Sequence, residues 1–77
     1  MSDRLFLEMD WEQGTLLRLV GLIERRGFEV IGLELMACGG ARSAVIDVQP
    51  QRGSRDFLVL CRQIDRLHGI WIQSAPT

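Results

Sequence analysis

Reactive side chains are few in this sequence and they stand apart. His68 is the single histidine, Cys38 and Cys61 are the two cysteines, and no serine or cysteine has a base within motif spacing. No group of His, Cys, Asp and Glu has the spacing of metal ligands. His68 falls near the end of a predicted helix, where a solvated imidazole complements the helix dipole better than it serves as a base. The two cysteines lie beside apolar residues and outside any CxxC, so they read as buried thiols in a reducing compartment, with one disulfide as the alternative. The sequence therefore predicts no catalytic residues, no cofactor and no metal. Its chemistry is that of backbone groups around glycine. A loop just before a helix N-terminus presents unpaired N–H groups and the positive end of the helix dipole, which suits a carboxylate such as that of an amino acid. Gly14 and Thr15 would supply those amides in WEQGTLL. Gly32, in the strand that follows, would let a ligand or a second copy approach closely. The plain alternative is that Gly14 permits a tight turn and Gly32 a bulge.

The elements that must hold this loop follow from two alternating periodicities. Residues 3 to 10 alternate as a strand, with Leu5, Leu7 and Met9 on one face and Phe6 and Glu8 on the other. Gly14 to Arg26 switches to helical spacing, with Leu16, Leu19, Val20 and Ile23 on a common face and Gly27 as the C-terminal stop. A second strand from Phe28 to Ala37 alternates Ile31, Leu33 and Leu35 with Glu29, Gly32 and Glu34. Cys38, Gly39, Gly40 and Ala41 predict a hairpin in which both glycines take positive φ. The third strand, Ser43 to Gln49, sends Ala44, Ile46 and Val48 inward and is stopped by Pro50. Ser54 is the predicted N-cap of a second helix, Asp56 favours its dipole, and Phe57, Leu60, Cys61, Ile64 and Leu67 form its apolar stripe. Gly69 caps its far end. Ile70 to Gln73 make a short last strand before a frayed tail.

Seventy-seven residues with 47% hydrophobic and 25% charged residues make one domain with one core. The net charge of −1 leaves no electrostatic footprint for nucleic acid or an anionic membrane. Charges at Asp3, Arg4, Glu8 and Asp10 interrupt any signal-peptide apolar run, and no segment approaches the ~20 apolar residues of a membrane span. A cytoplasmic location is the expectation. The order βαββαβ predicts a ferredoxin-like α+β sandwich, a four-stranded antiparallel sheet in order 4-1-3-2 with two helices on one face. Phe6, Val30, Met36, Val45 and Trp71 are expected on the other face. An RNA-recognition sheet would need aromatics on its central strands in basic surroundings, and SAVIDVQ supplies neither.

The segment EQGTLLRLVGLIERRGFEVIGLEL resembles the start of ACT domains, and more specifically that of the small regulatory subunits of acetolactate synthase. The matching positions are Gly14, Leu16, Val20, Gly21, Leu22, Arg26, Gly27, Phe28 and Leu33, with a looser likeness over RQIDRLHGI at 62 to 70. The resemblance implies a single ACT-like domain over residues 1–77 that regulates rather than catalyses. It implies a homodimer formed through the first helix and the strand after it. It also implies activation of a thiamine-diphosphate-dependent catalytic large subunit in branched-chain amino-acid biosynthesis, the cofactor belonging to that partner. An amino-acid ligand would meet Trp11, Glu12, Gln13, Gly14, Thr15, Leu16, Ile31 and Gly32, where the loop of one copy faces the other. Phe6, Arg25, Arg26 and Trp71 are the candidate partner surface. Trp11 stands where feedback-sensitive members carry an asparagine; an indole offers one donor and no acceptor, so it is expected to fill the pocket. That departure points to the short, valine-insensitive kind. The alternative is a free-standing ACT dimer that senses an amino acid.

Overall fold

The computed structural model describes residues 3–51 and 56–74. Six elements follow one another: β1 Asp3–Asp10, α1 Thr15–Arg25, β2 Phe28–Cys38, β3 Ala41–Pro50, α2 Phe57–Asp65 and β4 Ile70–Ser74. All strand pairs are antiparallel and the sheet order is β2-β3-β1-β4, the expected ferredoxin-like arrangement. Alternation decides which side chains reach the core. Leu5, Leu7 and Met9 of β1, Ala44, Ile46 and Val48 of β3, and Ile70 of β4 are buried on the face that the helices cover. Leu19, Leu22 and Ile23 of α1 and Leu60, Cys61 and Ile64 of α2 close that layer from above. Phe28, at the start of β2, meets Phe57 of α2 edge to face, with ring centroids 6.5 Å apart.

Several details differ from the sequence reading. In α1 it is Leu22 that joins Leu19 and Ile23 in the core, while Val20 and Leu16 sit at its margin. Asp56 is the N-cap of α2, its carboxylate accepting from the Leu58 amide at 2.9 Å, and the predicted cap Ser54 lies outside the described residues. Pro50 does not stop β3 at Gln49 but forms its last residue, paired with Phe28. In the hairpin only Gly39 has positive φ, +64°, the pattern of a turn whose first central residue alone is left-handed. Gly69 is not the cap of α2, which ends four residues earlier. It sits where β4 begins, at φ +81°, and a Cβ there would run into the Asp10 carboxylate. Leu67 likewise lies past the helix, yet still packs on the core.

β2 departs most from expectation. Its register shifts between Val30 and Gly32, leaving Ile31 as an extra residue. Val30 pairs with the buried Val48, so it faces the helices and not the open side. The bulge also resets the phase: Phe28 and Val30 before it, and Leu33 and Leu35 after it, all lie on the helix side. An unbroken strand would place Val30 and Leu33 on opposite faces. Leu33 and Leu35 nevertheless remain 40% and 36% exposed. Length explains why. Eleven extended residues span about 37 Å, against about 16 Å for the eleven residues of α1, so the hairpin end of β2 runs out beyond helix cover.

Candidate functional site

The segment between β1 and α1, residues 11–14, is anchored at both ends. Asp10 ends β1 with its amide bonded to the Gly69 carbonyl at 2.8 Å, which fixes where the loop starts. Gly14 then takes φ +88°, a left-handed conformation that costs a side-chain-bearing residue strain, and α1 begins at Thr15. The Thr15 side chain is fully buried and bridges two charges. Its hydroxyl donates to Asp10 Oδ1 at 3.2 Å and accepts from Arg18 Nη2 at 3.3 Å. The turn is therefore pinned at both sides by one threonine.

Its backbone donors are left open. The Thr15 amide, expected to face a ligand, donates instead to the Glu12 carbonyl at 3.2 Å. No side chain caps α1, and among the described residues the Leu16 and Leu17 amides have no acceptor. Trp11, Glu12, Gln13, Gly14, Leu16 and Leu17 line a shallow cleft of about 390 Å³ over this helix start. Trp11 does not fill the cleft, as its size suggested, but walls it. The Arg42 guanidinium, at the second position of β3, stacks 4.8 Å from the centre of the Trp11 ring and holds it to the side. Sequence reasoning passed over Asp10, Arg18 and Arg42. The spacing of Asp10, Thr15 and Arg18 around a helix start was a usable signal, whereas Arg42 becomes a neighbour of Trp11 only through strand pairing.

Other predicted positions lie elsewhere. Ile31 and Gly32 are in register with Val48, Asp47 and Arg4, at the far end of the sheet from the loop. Six residue steps along β1 take the chain from Arg4 to Asp10, about 20 Å. A single chain does not bring the two halves of the predicted ligand site together. The space above Gly32 is taken by its own chain: a Cβ there would lie 3.1 Å from Asp47 Oδ2. Asp47 in turn holds Arg4, Nε to Oδ1 at 2.8 Å, and this hydrogen bond keeps the Asp47 carboxyl below the usual range. The predicted partner surface also divides. Phe6 and Trp71 are on the open face of the sheet, while Arg25 and Arg26, on the helix side, line a second hollow of about 300 Å³ with Phe28, Asp56, Val59 and Leu60.

Few groups here could do bond chemistry. Cys61 is a buried free thiol whose pKa is pushed up, first by burial and then by the charge of Asp3. His68 is exposed in the turn after α2. Among the described residues no three His, Cys, Asp or Glu side chains gather as a metal site, and no helix is long and apolar enough to cross a membrane.

The family profile of the ACT domain matches residues 12–71, well over half of the chain. No curated protein matches. Among solved structures, the ACT domain from the GTP pyrophosphokinase of Chlorobium tepidum superposes with a TM-score of 0.71 at 11% identity, covering 92% of this chain and 91% of that one. An unknown protein from Galdieria sulphuraria superposes with a TM-score of 0.79 at 13% identity over 99% of this chain, which spans only 45% of that protein. At such identities the structural likeness concerns the fold alone. ACT domains are regulatory and not catalytic by themselves, and they commonly dimerise and bind amino acids. With its start at residue 12, the glycine loop and α1 inside the matched segment, the chain belongs to the ACT domain family.

Proposed function

We propose that this chain is the regulatory small subunit of an acetolactate synthase, working as a side-by-side dimer that holds and activates a thiamine-diphosphate-dependent catalytic subunit. One observation supports the dimer above all. β2 is an edge strand of eleven residues, paired only with β3, and it carries exposed Ile31, Leu33 and Leu35. A long apolar edge of this kind is a template for another strand, and uncovered it is an aggregation hazard. A second copy pairing antiparallel along β2 about a two-fold axis would cover it. The same reversal sets the loop end of one copy beside the Ile31–Gly32 end of the other. That arrangement reunites the two halves of the site which a single chain keeps about 20 Å apart. Leu17, 77% exposed on α1 beside the cleft, is a further apolar residue for that contact.

The acetolactate synthase assignment rests on the resemblance of residues 12 to 35. Adding the chain to its cognate catalytic subunit is the test: acetolactate formation and the sedimentation coefficient should both rise. No change in either would defeat the assignment. The cleft favours a second reading, an amino-acid sensor. The open Leu16 and Leu17 amides suit a carboxylate and Glu12 supplies a partner for an ammonium group. A sensor shows a melting temperature that rises with amino-acid concentration, and a flat series across the branched-chain and other amino acids would exclude it.

A further inference from the structure

The sheet face turned away from the helices carries an apolar arc that the fold leaves bare. Val45 of β3 is directly opposite Phe6 of β1, Met36 of β2 is diagonal to Val45, and Trp71 of β4 is diagonal to Phe6. Opposite Cβ atoms are about 5 Å apart and diagonal ones about 7–8 Å, so these side chains form one continuous strip across all four strands. Three strand spacings make it about 14 Å long. Trp71 is 53% and Met36 68% exposed. A strip with two aromatics is the composition of a contact surface with its own anchors.

Charge narrows the choice of occupant. Glu34 stands directly opposite Val45, and Glu8, which accepts from Gln73 Nε2 at 3.4 Å, directly opposite Trp71, so one carboxylate stands on each side of the strip. Arg4, on the same face, is already bound to Asp47, and among the described residues neither glutamate has a cation within ion-pair distance. A second copy stacked face to face would gather four carboxylates, two from each copy, in one interface while Arg4 of each copy stays bound to its own Asp47. Nucleic acid and anionic lipid would be repelled by them. A strip about 14 Å long, apolar along its middle and acidic at its borders, fits three turns of helix, about 16 Å.

We infer that this face docks a basic amphipathic helix of a partner protein. Its apolar side lies along Met36, Val45, Phe6 and Trp71, and its Lys or Arg residues meet Glu8 and Glu34. The face lies across the sheet from α1 and the cleft, so the inference requires neither the dimer nor the synthase assignment.

The probe is an 18-residue fluorescein-labelled helical peptide with leucines at i, i+3, i+4 and i+7 flanked by arginines. Its counterpart has glutamates in place of the arginines. The arginine peptide should bind saturably to the full chain, with amide shifts in NMR spectra centred on Phe6, Val45 and Trp71. The Glu8→Arg, Glu34→Arg double variant should weaken it at least tenfold and bind the glutamate peptide instead. Trp71→Ser, at an exposed position, should weaken it while the melting temperature stays the same. The inference fails if the arginine peptide does not bind, if both peptides bind equally, or if the shifts fall on α1 and the loop from Trp11 to Gly14. Self-association abolished by Trp71→Ser, or saturable binding of a labelled oligouridine, would each overturn it in favour of another occupant.

Discussion

The two helices of this domain begin in opposite ways. α2 starts at Asp56, in extended conformation, with a carboxylate folded back onto the Leu58 amide. α1 starts at Gly14, in left-handed conformation, with no side chain over its first turn. Both helices bury three apolar side chains in the same core, so the difference is not one of anchoring. A capped start satisfies its own donors and has nothing left to offer a ligand. An uncapped start keeps amides and dipole available, and here it is braced from beneath by the Asp10–Thr15–Arg18 chain. One helix start is finished as structure; the other is kept open beside a cleft.

Substitutions can press on this contrast, beginning with the common core. Leu19→Ala in α1 and Leu60→Ala in α2 should each cost about 2–5 kcal/mol in urea unfolding, because both side chains are buried at 1% exposure or less. Unequal losses would mean that the two helices are not equally anchored. Gly14→Val comes next, at about 1–3 kcal/mol. Space is not the obstacle, since a Cβ there meets only Arg18 Nη1 at 3.5 Å; the cost comes from φ +88°. This variant should lose dimer or ligand contact while α1 stays helical by circular dichroism.

Asp56→Ala should cost about 1 kcal/mol and leave the dimer and any ligand response unchanged. A change in either would erase the distinction between the two helix starts. The smallest effect is one of pH. Burial holds the folded-state pKa of Cys61 above its unfolded value, so its contribution to stability is complete below the ordinary thiol range and declines as pH rises through and beyond it. Melting temperature should therefore drop more steeply with alkaline pH in the native chain than in Cys61→Ala. Parallel curves would show that the thiol is not the group responsible.

Local patterns made most of the fold readable. Alternation in LFLEM and SAVIDV and helical spacing in LLRLVGLIE set four strands, two helices and the antiparallel order, because each element has one apolar side to hide. The bulge at Ile31 was hidden because both phases of β2 are apolar on paper: Ile31, Leu33 and Leu35 make as regular a series as Phe28 and Val30. Only pairing with Val48 and Asp47 breaks the tie. Half of the candidate site was legible in Gly14 and its flanking residues, whose spacing is local. The Arg42 stack on Trp11 and the Asp47 carboxylate over Gly32 arise between strands, and nothing within a short window encodes them.

The central claim is regulation of a larger enzyme through the open start of α1. Acetolactate formation by the cognate catalytic subunit, measured with the native chain, with Asp56→Ala and with Gly14→Val, tests it most directly. The account predicts activation by the native chain and by Asp56→Ala, and its loss with Gly14→Val. No activation by the native chain, or equal activation by all three, would contradict it.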